Sequence, residues 1–232
     1  FAIRNRTKPH EIIICTAFIN VPGWVGEVRE DLRERLDSGK DYDTPLECPF
    51  ITHWLHNMSH DQVLDMLKYL NMSNSVDTKV KVVFVPCYLD GKDGILNELY
   101  YDLLIGTDLS VYPSYYEPWG YTPLESIAFK VPTITTDLAG FGLWVNSLTG
   151  KNATLQDGVK VIHRTDYNYS EVADTIKDTI SEFSSLTSTE INKIRKNAAN
   201  IAEKALWKHF IQYYYEAYDI ALRNAAKRLS LN

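Results

Sequence analysis

The stretch Tyr112–Glu125, YPSYYEPWGYTPLE, decides the fold expected for this chain. An apolar run, Leu109–Tyr112, leads into it, and a segment with helical spacing of apolar residues leads out of it. This order predicts a strand, a turn and a helix. Gly120 allows the backbone to turn sharply or a ligand to approach closely. Thr122 is predicted to be the N-cap of the helix, with Glu125 placed after it as in a capping box.

The turn combines a predicted anion site with two carboxylates. The first N–H groups of a helix have no partner within the helix and attract phosphate. Glu117 and Glu125 flank the turn with seven residues between them. Carboxylates repel phosphate but accept strong hydrogen bonds from hydroxyl groups such as those of a sugar. A ligand at this turn would lie where open α/β sheets bind ligands. The alternative interpretation is that the turn only begins a capped helix with packed aromatic residues.

Residues 112–142 resemble the donor site of glycogen synthases of the animal and fungal type. The pair Glu117 and Glu125 has the spacing shared by retaining GT-B glycosyltransferases. The sequence PSYYEPWGYTP of residues 113–123 is more specific than that spacing, and it distinguishes this family from bacterial starch-type synthases. The resemblance extends from Cys48 to Ala226 and implies the C-terminal, donor-binding half of a GT-B fold.

Strand and helix patterns alternate along the rest of the chain, as in α/β proteins. Apolar runs predict strands at Ile12–Ile19, Lys79–Pro86, Asp108–Tyr112, Val131–Thr135 and Gly158–His163. Apolar periodicity predicts helices at Val25–Leu36, His60–Leu70, Gly91–Leu104, 170–183, 188–204 and 207–226. We therefore expect an α/β fold with a Rossmann-like, doubly wound parallel sheet and a C-terminal helical extension.

We expect the chain to have two parts. Residues 1–205 are predicted to form a Rossmann-like nucleotide-sugar-binding domain, and residues 206–232 a C-terminal helix. In the family this helix crosses back to an N-terminal domain, so the resemblance implies that the aromatic segment Trp207–Tyr218 contacts such a domain. The chain does not begin with Met, and a residue pattern is already under way at its first residue. This predicts that the chain is a fragment of a longer protein.

The resemblance implies a role for each site residue. Glu117 is expected to be the catalytic residue, because it would hold hydroxyls of the transferred glucose and stabilise an oxocarbenium-like centre. Glu125 is expected to bind the ribose hydroxyls, and Tyr88 to stack on the base. The other expected donor-binding residues are Tyr115, Trp119, Gly120, Tyr121, Thr122 and, in the turn of residues 138–142, Gly140. Backbone N–H groups of residues 119–122 would stabilise the charge that builds on the leaving diphosphate.

The first residues, FAIRNRT, correspond in position to a family motif, Asn-Lys-Gly, whose Lys holds the donor phosphates. Arg6 stands where that Lys is expected, although the Gly is absent. We therefore take Arg6, together with Arg4, as a hypothetical phosphate ligand. A basic terminus that contacts nothing is the alternative interpretation.

The resemblance implies a retaining glucosyltransferase that extends an α-1,4-glucan at its non-reducing end. UDP-glucose is the expected donor, ADP-glucose is left open, and no cofactor is expected. The expected partners are a glycogen or other α-glucan acceptor and the N-terminal GT-B domain, and a homo-oligomer is left open. The alternatives are a GT-B transferase with another acceptor and a non-catalytic module that binds nucleotide or glucan. The presence of both Glu117 and Glu125 favours an enzyme.

Composition and sequence patterns argue against other classes of protein. A net charge of −6 without a block of Lys or Arg argues against nucleic-acid binding. The sequence has neither a signal peptide nor an apolar run long enough to span a membrane. Three cysteines, an odd number, predict reduced thiols and a cytoplasmic protein.

Three histidines, His53, His56 and His60, have the spacing of metal ligands on one helix face. Apolar residues share this segment, and only Asp61 is near enough in sequence to add another ligand. Packing is therefore the preferred interpretation, and no metal site is predicted.

Overall fold

The computed structural model describes residues 2–4, 12–17, 25–75, 78 and 80–229. The chain forms two compact units. The first comprises Phe1–Val111 and Ile180–Ser185, and the second comprises Tyr112–Thr179 and Leu186–Asn232. The second unit therefore begins with the stretch that carries Glu117 and Glu125.

The first unit contains a short sheet with one parallel pair of strands. The strands that lie within this unit are β1 (Ala2–Arg4), β2 (Ile12–Ala17), β3 (Val25–Val28), β4 (His53–Leu55), β5 (Val80–Val85) and β6 (Ser110–Val111). Its helices are α1 (Glu30–Ser38), α2 (Gln62–Tyr69) and α3 (Tyr100–Ile105). β2 and β5 pair in parallel, with Ile12 opposite Val80 and Ala17 opposite Val85. β1 pairs antiparallel with β2, and β3 and β4 form a separate antiparallel pair.

Helix α2 shows how the sequence builds the core of this unit. The Asp61 carboxylate caps the helix by accepting hydrogen bonds from the N–H groups of Val63 and Leu64, at 3.0 and 2.9 Å. Apolar residues at helical spacing then turn Leu64 and Leu67 inward. The core that they join also contains Phe50, Ile51, Leu55, Val82 and Phe84.

The predicted helix Val25–Leu36 is only partly helical. Residues 25–28 form strand β3, and α1 starts at the second residue after it. Arg29, between the two, is fully buried. Its guanidinium pairs with Asp31 at 2.5 Å and lies 4.4 Å from the centre of the Trp54 ring. These tertiary contacts override the helical periodicity of the segment.

The predicted helix Gly91–Leu104 is wrong over most of its length, because only α3 is helical. The Asp93 carboxylate accepts hydrogen bonds from the N–H groups of Ile95, Leu96 and Asn97 at 2.7 to 3.0 Å. Such side-chain bonds to the backbone compete with helical hydrogen bonds. The segment before α3 is therefore a loop.

The second unit contains a parallel pair of strands, β7 (Thr133–Thr136) and β8 (Val159–Ile162). Its helices are α4 (Tyr121–Ala128), α5 (Gly140–Thr149), α6 (Tyr169–Ser185), α7 (Ser188–Lys204) and α8 (Trp207–Leu229), and the last turn and a half of α6 belongs to the first unit. Thr133 lies opposite Val159, and Thr136 opposite Ile162. Tyr112 donates its backbone N–H to the carbonyl of Ile134 at 2.8 Å, which places the start of the unit beside β7.

The core of the second unit joins the strands to α4, α5 and α7. Its buried members are Ile127, Phe141, Val145, Ala153, Val159, Val161, Ala198 and Ile201. The expected α/β fold class with parallel strand pairing is confirmed. The described strands are distributed over three sheets rather than one continuous sheet.

Helix α8 buries none of its 23 residues. Its exposed aromatic side chains are Trp207, Tyr213, Tyr214, Tyr215 and Tyr218. Phe210 packs against the body of the unit, with its ring centre 5.6 Å from that of Trp119. Neither α8 nor another helix within the described ranges is long and apolar enough to span a membrane.

Candidate active site

Three loops meet in the second unit, at the C-terminal ends of its strands. They are residues 113–120, residues 137–139 after β7 and residues 163–168 after β8. Thr136 Oγ1 donates a hydrogen bond of 2.7 Å to the carbonyl of Ser114, which ties the end of β7 to the first loop. The C-terminal ends of parallel strands are where α/β proteins bind ligands.

Glu117 is held through its backbone by the loop after β7. Its N–H donates to the carbonyl of Leu138 at 3.2 Å, and its carbonyl accepts from the N–H of Gly140 at 3.1 Å. Its carboxylate is less constrained, since it accepts one hydrogen bond of 3.3 Å from Ser114 Oγ. A Cβ atom built on Gly120 would lie 3.7 Å from Glu117 Oε2. The carboxylate therefore lies beside the start of α4.

Helix α4 begins earlier than the sequence pattern predicts. Gly120 is its N-cap, with φ 106° and ψ 78°, a conformation that glycine adopts without the strain of other residues. The predicted N-cap, Thr122, is the second helical residue instead, and the predicted capping box with Glu125 is wrong. Pro123 occupies the third helical position, where the N–H that it lacks would have no helical partner.

The start of α4 presents free backbone donors. Within the part of the chain that the structure describes, the N–H groups of Gly120, Tyr121 and Thr122 have no hydrogen-bond partner. They lie at the positive end of the helix dipole. This arrangement can bind an anion, and the Glu117 carboxylate stands next to it.

Gly140 packs directly against the first loop. A Cβ atom at this position would lie 2.2 Å from the carbonyl oxygen of Pro118, which is too close for any other residue. Its N–H is used by Glu117, and the N–H of Phe141 donates to the carbonyl of Trp119 at 2.6 Å. The structure therefore brings Gly140 to the predicted site, with its backbone donor already occupied.

Trp119 is half-buried in an aromatic cluster. Its ring centre lies 6.2 Å from that of Phe141, 5.7 Å from that of Trp144 and 5.6 Å from that of Phe210. Such contacts between aromatic rings stabilise by about 1 kcal/mol each beyond the burial of area. The side chain thus anchors the first loop to α5 and α8.

The loop after β8 adds charged residues that sequence reasoning missed. His163 Nδ1 and Asp137 Oδ2 lie 2.6 Å apart, and Asp137 Oδ1 accepts from the backbone N–H of Arg164 at 2.9 Å. The hydrogen bond to Asp137 and its negative charge raise the pKa of His163. The one signal in the sequence is that these residues lie at or just after the C-terminal ends of two predicted strands.

Three side-chain contacts join this loop to the first loop. The Arg164 guanidinium donates to the carbonyl of Pro113 and lies 4.7 Å from the centre of the Tyr115 ring. The Tyr115 hydroxyl donates to Asp166 Oδ1. This hydrogen bond raises the pKa of Tyr115. Tyr115 is therefore brought to the predicted site, with its hydroxyl engaged by a carboxylate.

Glu125 and Tyr121 lie one turn apart on α4. Tyr121 is exposed, whereas Glu125 and Thr122 are half-buried. Residues at this spacing are neighbours on a helix surface. The first turns of α4 thus carry three of the predicted donor-binding residues.

Two predicted donor-binding residues lie elsewhere. Tyr88 follows β5 in the first unit, and 55% of its surface is exposed. Arg6 lies outside the described residues, and Arg4 lies in strand β1. Their roles stay predictions.

The three histidines with metal-like spacing in the sequence differ in burial and in their contacts. His53 lies in strand β4 rather than a helix, and it is buried, whereas His56 and His60 are exposed. Its Nδ1 is 2.8 Å from Thr52 Oγ1, and its Nε2 donates to the carbonyl of Asp93 at 2.8 Å. Both ring nitrogens are therefore engaged within the protein.

One group of side chains within the described residues has metal-like spacing. Ligand atoms of His53, Cys87 and Asp93 lie within 4.8 Å of one another. Burial and then the charges of Asp93 and Asp90 raise the pKa of Cys87 to about 11. The thiol is therefore protonated near neutral pH, and the carboxylate of Asp93 already accepts three backbone N–H groups. His53 and Asp93 are thus engaged by hydrogen bonds within the protein.

Comparison with known proteins finds similarity to glycogen synthases. A family model described as glycogen synthase matches residues 33–229. Glycogen [starch] synthase isoform 1 of Saccharomyces cerevisiae is 30% identical over 177 residues, which are 76% of this chain and 25% of the yeast protein. The Neurospora crassa glycogen [starch] synthase is 31% identical over 84% of this chain and 27% of its own length. The chain thus spans about a quarter of these relatives.

A solved structure of the glycosyltransferase WaaG, involved in lipopolysaccharide biosynthesis, aligns with 78% of this chain and 51% of its own. The sequence identity is 16% and the TM-score 0.38, a value too low to establish a shared fold.

Proposed function

Because this chain belongs to the glycogen synthase family, we propose that it forms the donor-binding part of a glycosyltransferase that elongates a glucan. The proposal includes UDP-glucose as the donor, retention of the anomeric configuration and the non-reducing end of an α-1,4-glucan as the acceptor. One observation carries it: the Glu117 carboxylate stands beside the free N–H groups at the start of α4.

The start of α4 suits the diphosphate of a nucleotide sugar. The N–H groups of Gly120, Tyr121 and Thr122 would each donate to a phosphate oxygen. Negative charge grows on the diphosphate as its bond to the anomeric carbon of the sugar breaks. Donors already fixed in place then stabilise the transition state more than the ground state, which lowers the barrier.

Glu117 suits the sugar that is transferred. Its backbone is fixed by Leu138 and Gly140, while its carboxylate accepts one long hydrogen bond, from Ser114. The carboxylate would accept hydrogen bonds from glucose hydroxyls and stabilise the positive charge that develops at the anomeric carbon.

Other assignments complete the proposal. Glu125, one turn along α4, would bind the ribose hydroxyls, and Tyr88 would stack on the base. Tyr115 and Gly140 would shape the donor site, and Arg6 would bind phosphate. The exposed aromatic side chains of α8 would contact the N-terminal domain of a GT-B enzyme, and the protein would act in the cytoplasm.

The test is glucose transfer by the full-length protein. Wild type is expected to transfer from UDP-glucose to glycogen, with ADP-glucose assayed in parallel, and to form α-linkages detectable by NMR. Glu117→Ala is expected to lower kcat roughly 100-fold or more, while the donor Kd changes much less. Glu182→Ala, an exposed carboxylate on α6, is the matched control and should leave both values unchanged.

Two results would contradict the proposal. Equal losses of kcat and donor affinity in Glu117→Ala would make Glu117 a binding residue only. Capture of glucan by wild type without transfer from any nucleotide sugar would identify a non-catalytic module.

A further inference from the structure

Arg164 links the loop after β8 to the segment in front of Glu117. Its guanidinium donates to the carbonyl of Pro113 and lies against the ring of Tyr115, at 4.7 Å from the ring centre. Its Nε is buried and has no hydrogen-bond partner among the described residues. The cation–π contact is therefore partly shielded from water, which strengthens it.

A second residue of the same loop contacts the same segment. Asp166 accepts a hydrogen bond from the Tyr115 hydroxyl. The backbone N–H of Arg164 is in turn fixed by Asp137, the residue after β7. A continuous set of contacts thus runs from the end of β7, through the loop after β8, to the residues that precede Glu117.

The segment in front of Glu117 has few other restraints. Pro113, Tyr115 and Tyr116 are exposed, and proline has no N–H to donate. The further hydrogen bonds that hold it involve Ser114, whose N–H donates to Tyr112 and whose carbonyl accepts from the Thr136 hydroxyl. From Glu117 onward, by contrast, the backbone is fixed by Leu138 of the loop after β7 and by the first two residues of α5.

We propose that Arg164 is a positioning residue for Glu117. It holds Pro113 and Tyr115 in place, so that the Glu117 carboxylate stays over the start of α4. Arg164 does not contact the carboxylate, so its effect on the reaction passes through the loop. This inference rests on the proposed function, because it assumes that the position of Glu117 limits turnover.

Kinetics of the full-length protein test this role. Arg164→Ala is expected to lower kcat for glucose transfer roughly 10- to 100-fold, with the KM for UDP-glucose changed by less than about threefold. Arg164→Lys should recover only part of the loss, because an ammonium group can bond to Pro113 but lacks the planar group that stacks on Tyr115. Lys177→Ala removes one exposed positive charge from α6 and should change neither value.

A double-mutant cycle separates positioning from an independent contribution. If Arg164 acts through Glu117, then Arg164→Ala in the Glu117→Ala background should lower the residual rate by less than about twofold. A full additional loss in that background would overturn the proposal. A raised KM with unchanged kcat would also overturn it, because Arg164 would then bind the donor phosphates directly.

Hydrogen exchange gives a readout that does not depend on activity. In Arg164→Ala the N–H of Glu117, which donates to Leu138, should exchange faster, whereas protection in β8 stays at the wild-type level. Unchanged exchange at Glu117 would contradict this positioning of the loop. Full activity of Glu117→Ala together with faster exchange in Arg164→Ala would reject the proposed function and leave the positioning of the loop intact.

Discussion

The backbone N–H of Gly140 donates a hydrogen bond of 3.1 Å to the carbonyl oxygen of Glu117. This contact joins the start of α5 to the residue proposed to act in catalysis. It also explains why position 140 is glycine, since any side chain there would meet the carbonyl of Pro118. The position of Glu117 therefore depends on close packing between two backbone segments.

Gly140→Ala should displace the loop that carries Glu117. The new Cβ atom would lie 2.2 Å from the Pro118 oxygen, and a backbone atom cannot move aside cheaply. We expect a loss of about 1–3 kcal/mol in the free energy of unfolding and a fall of roughly tenfold or more in transfer rate. Leu143→Ala, an exposed change in the same helix, is the control for urea unfolding and initial rates. Wild-type activity in Gly140→Ala would contradict this packing.

The pair His163 and Asp137 should make stability depend on pH. Because Asp137 raises the pKa of His163 in the folded protein above its ordinary value of 6.5, the pair stabilises the fold fully below pH 6.5. This stabilisation is lost as the pH rises through the higher folded value. The free energy of unfolding of His163→Asn should therefore fall below that of wild type at low pH and approach it at high pH.

NMR titration of the histidine ring measures the same effect directly. The resonance of His163 should titrate above pH 6.5, and Asp137→Asn should bring the midpoint down. His56→Asn, an exposed change, is the control in the unfolding experiment. A midpoint for His163 below 6.5 would refute the pairing.

Arg29→Met should destabilise the first unit. Arg29 is fully buried, donates to the carbonyl of Cys48 at 2.8 Å and pairs with Asp31. Its removal leaves the Cys48 carbonyl and the Asp31 carboxylate without this partner, and we expect a loss of about 3 kcal/mol by urea unfolding. Arg33→Ala, which removes an exposed pair with Glu30, should cost less than about 1 kcal/mol. Equal costs for the two variants would contradict this assignment.

The sequence predicts the strand, turn and helix around Glu117, because these depend on local patterns that the structure retains. It misplaces the N-cap at Thr122, because the left-handed backbone of Gly120 starts the helix earlier. It also predicts a helix at Gly91–Leu104, where the carboxylate of Asp93 takes the backbone N–H groups that a helix would need.

The contacts of Arg164 could not be predicted in this way. Arg164 and Pro113 are separated by 51 positions in the chain, and so are Tyr115 and Asp166. No local pattern relates residues that far apart, and their meeting depends on how β7 and β8 pair. The motif around Glu117 is thus visible in the sequence, whereas the residues that contact it from other loops are seen only in the fold.

Calorimetric titration of the full-length protein with UDP tests most directly whether the start of α4 holds the donor diphosphate. Gly120→Ala replaces a residue with φ 106° and should move these N–H groups. Gly150→Ala is the matched control, because Gly150 also has a positive φ, 66°, but follows α5 and has open space around it. We predict that Gly120→Ala weakens UDP binding roughly tenfold or more and that Gly150→Ala leaves it unchanged. Equal affinity of Gly120→Ala and wild type for UDP would contradict the central claim.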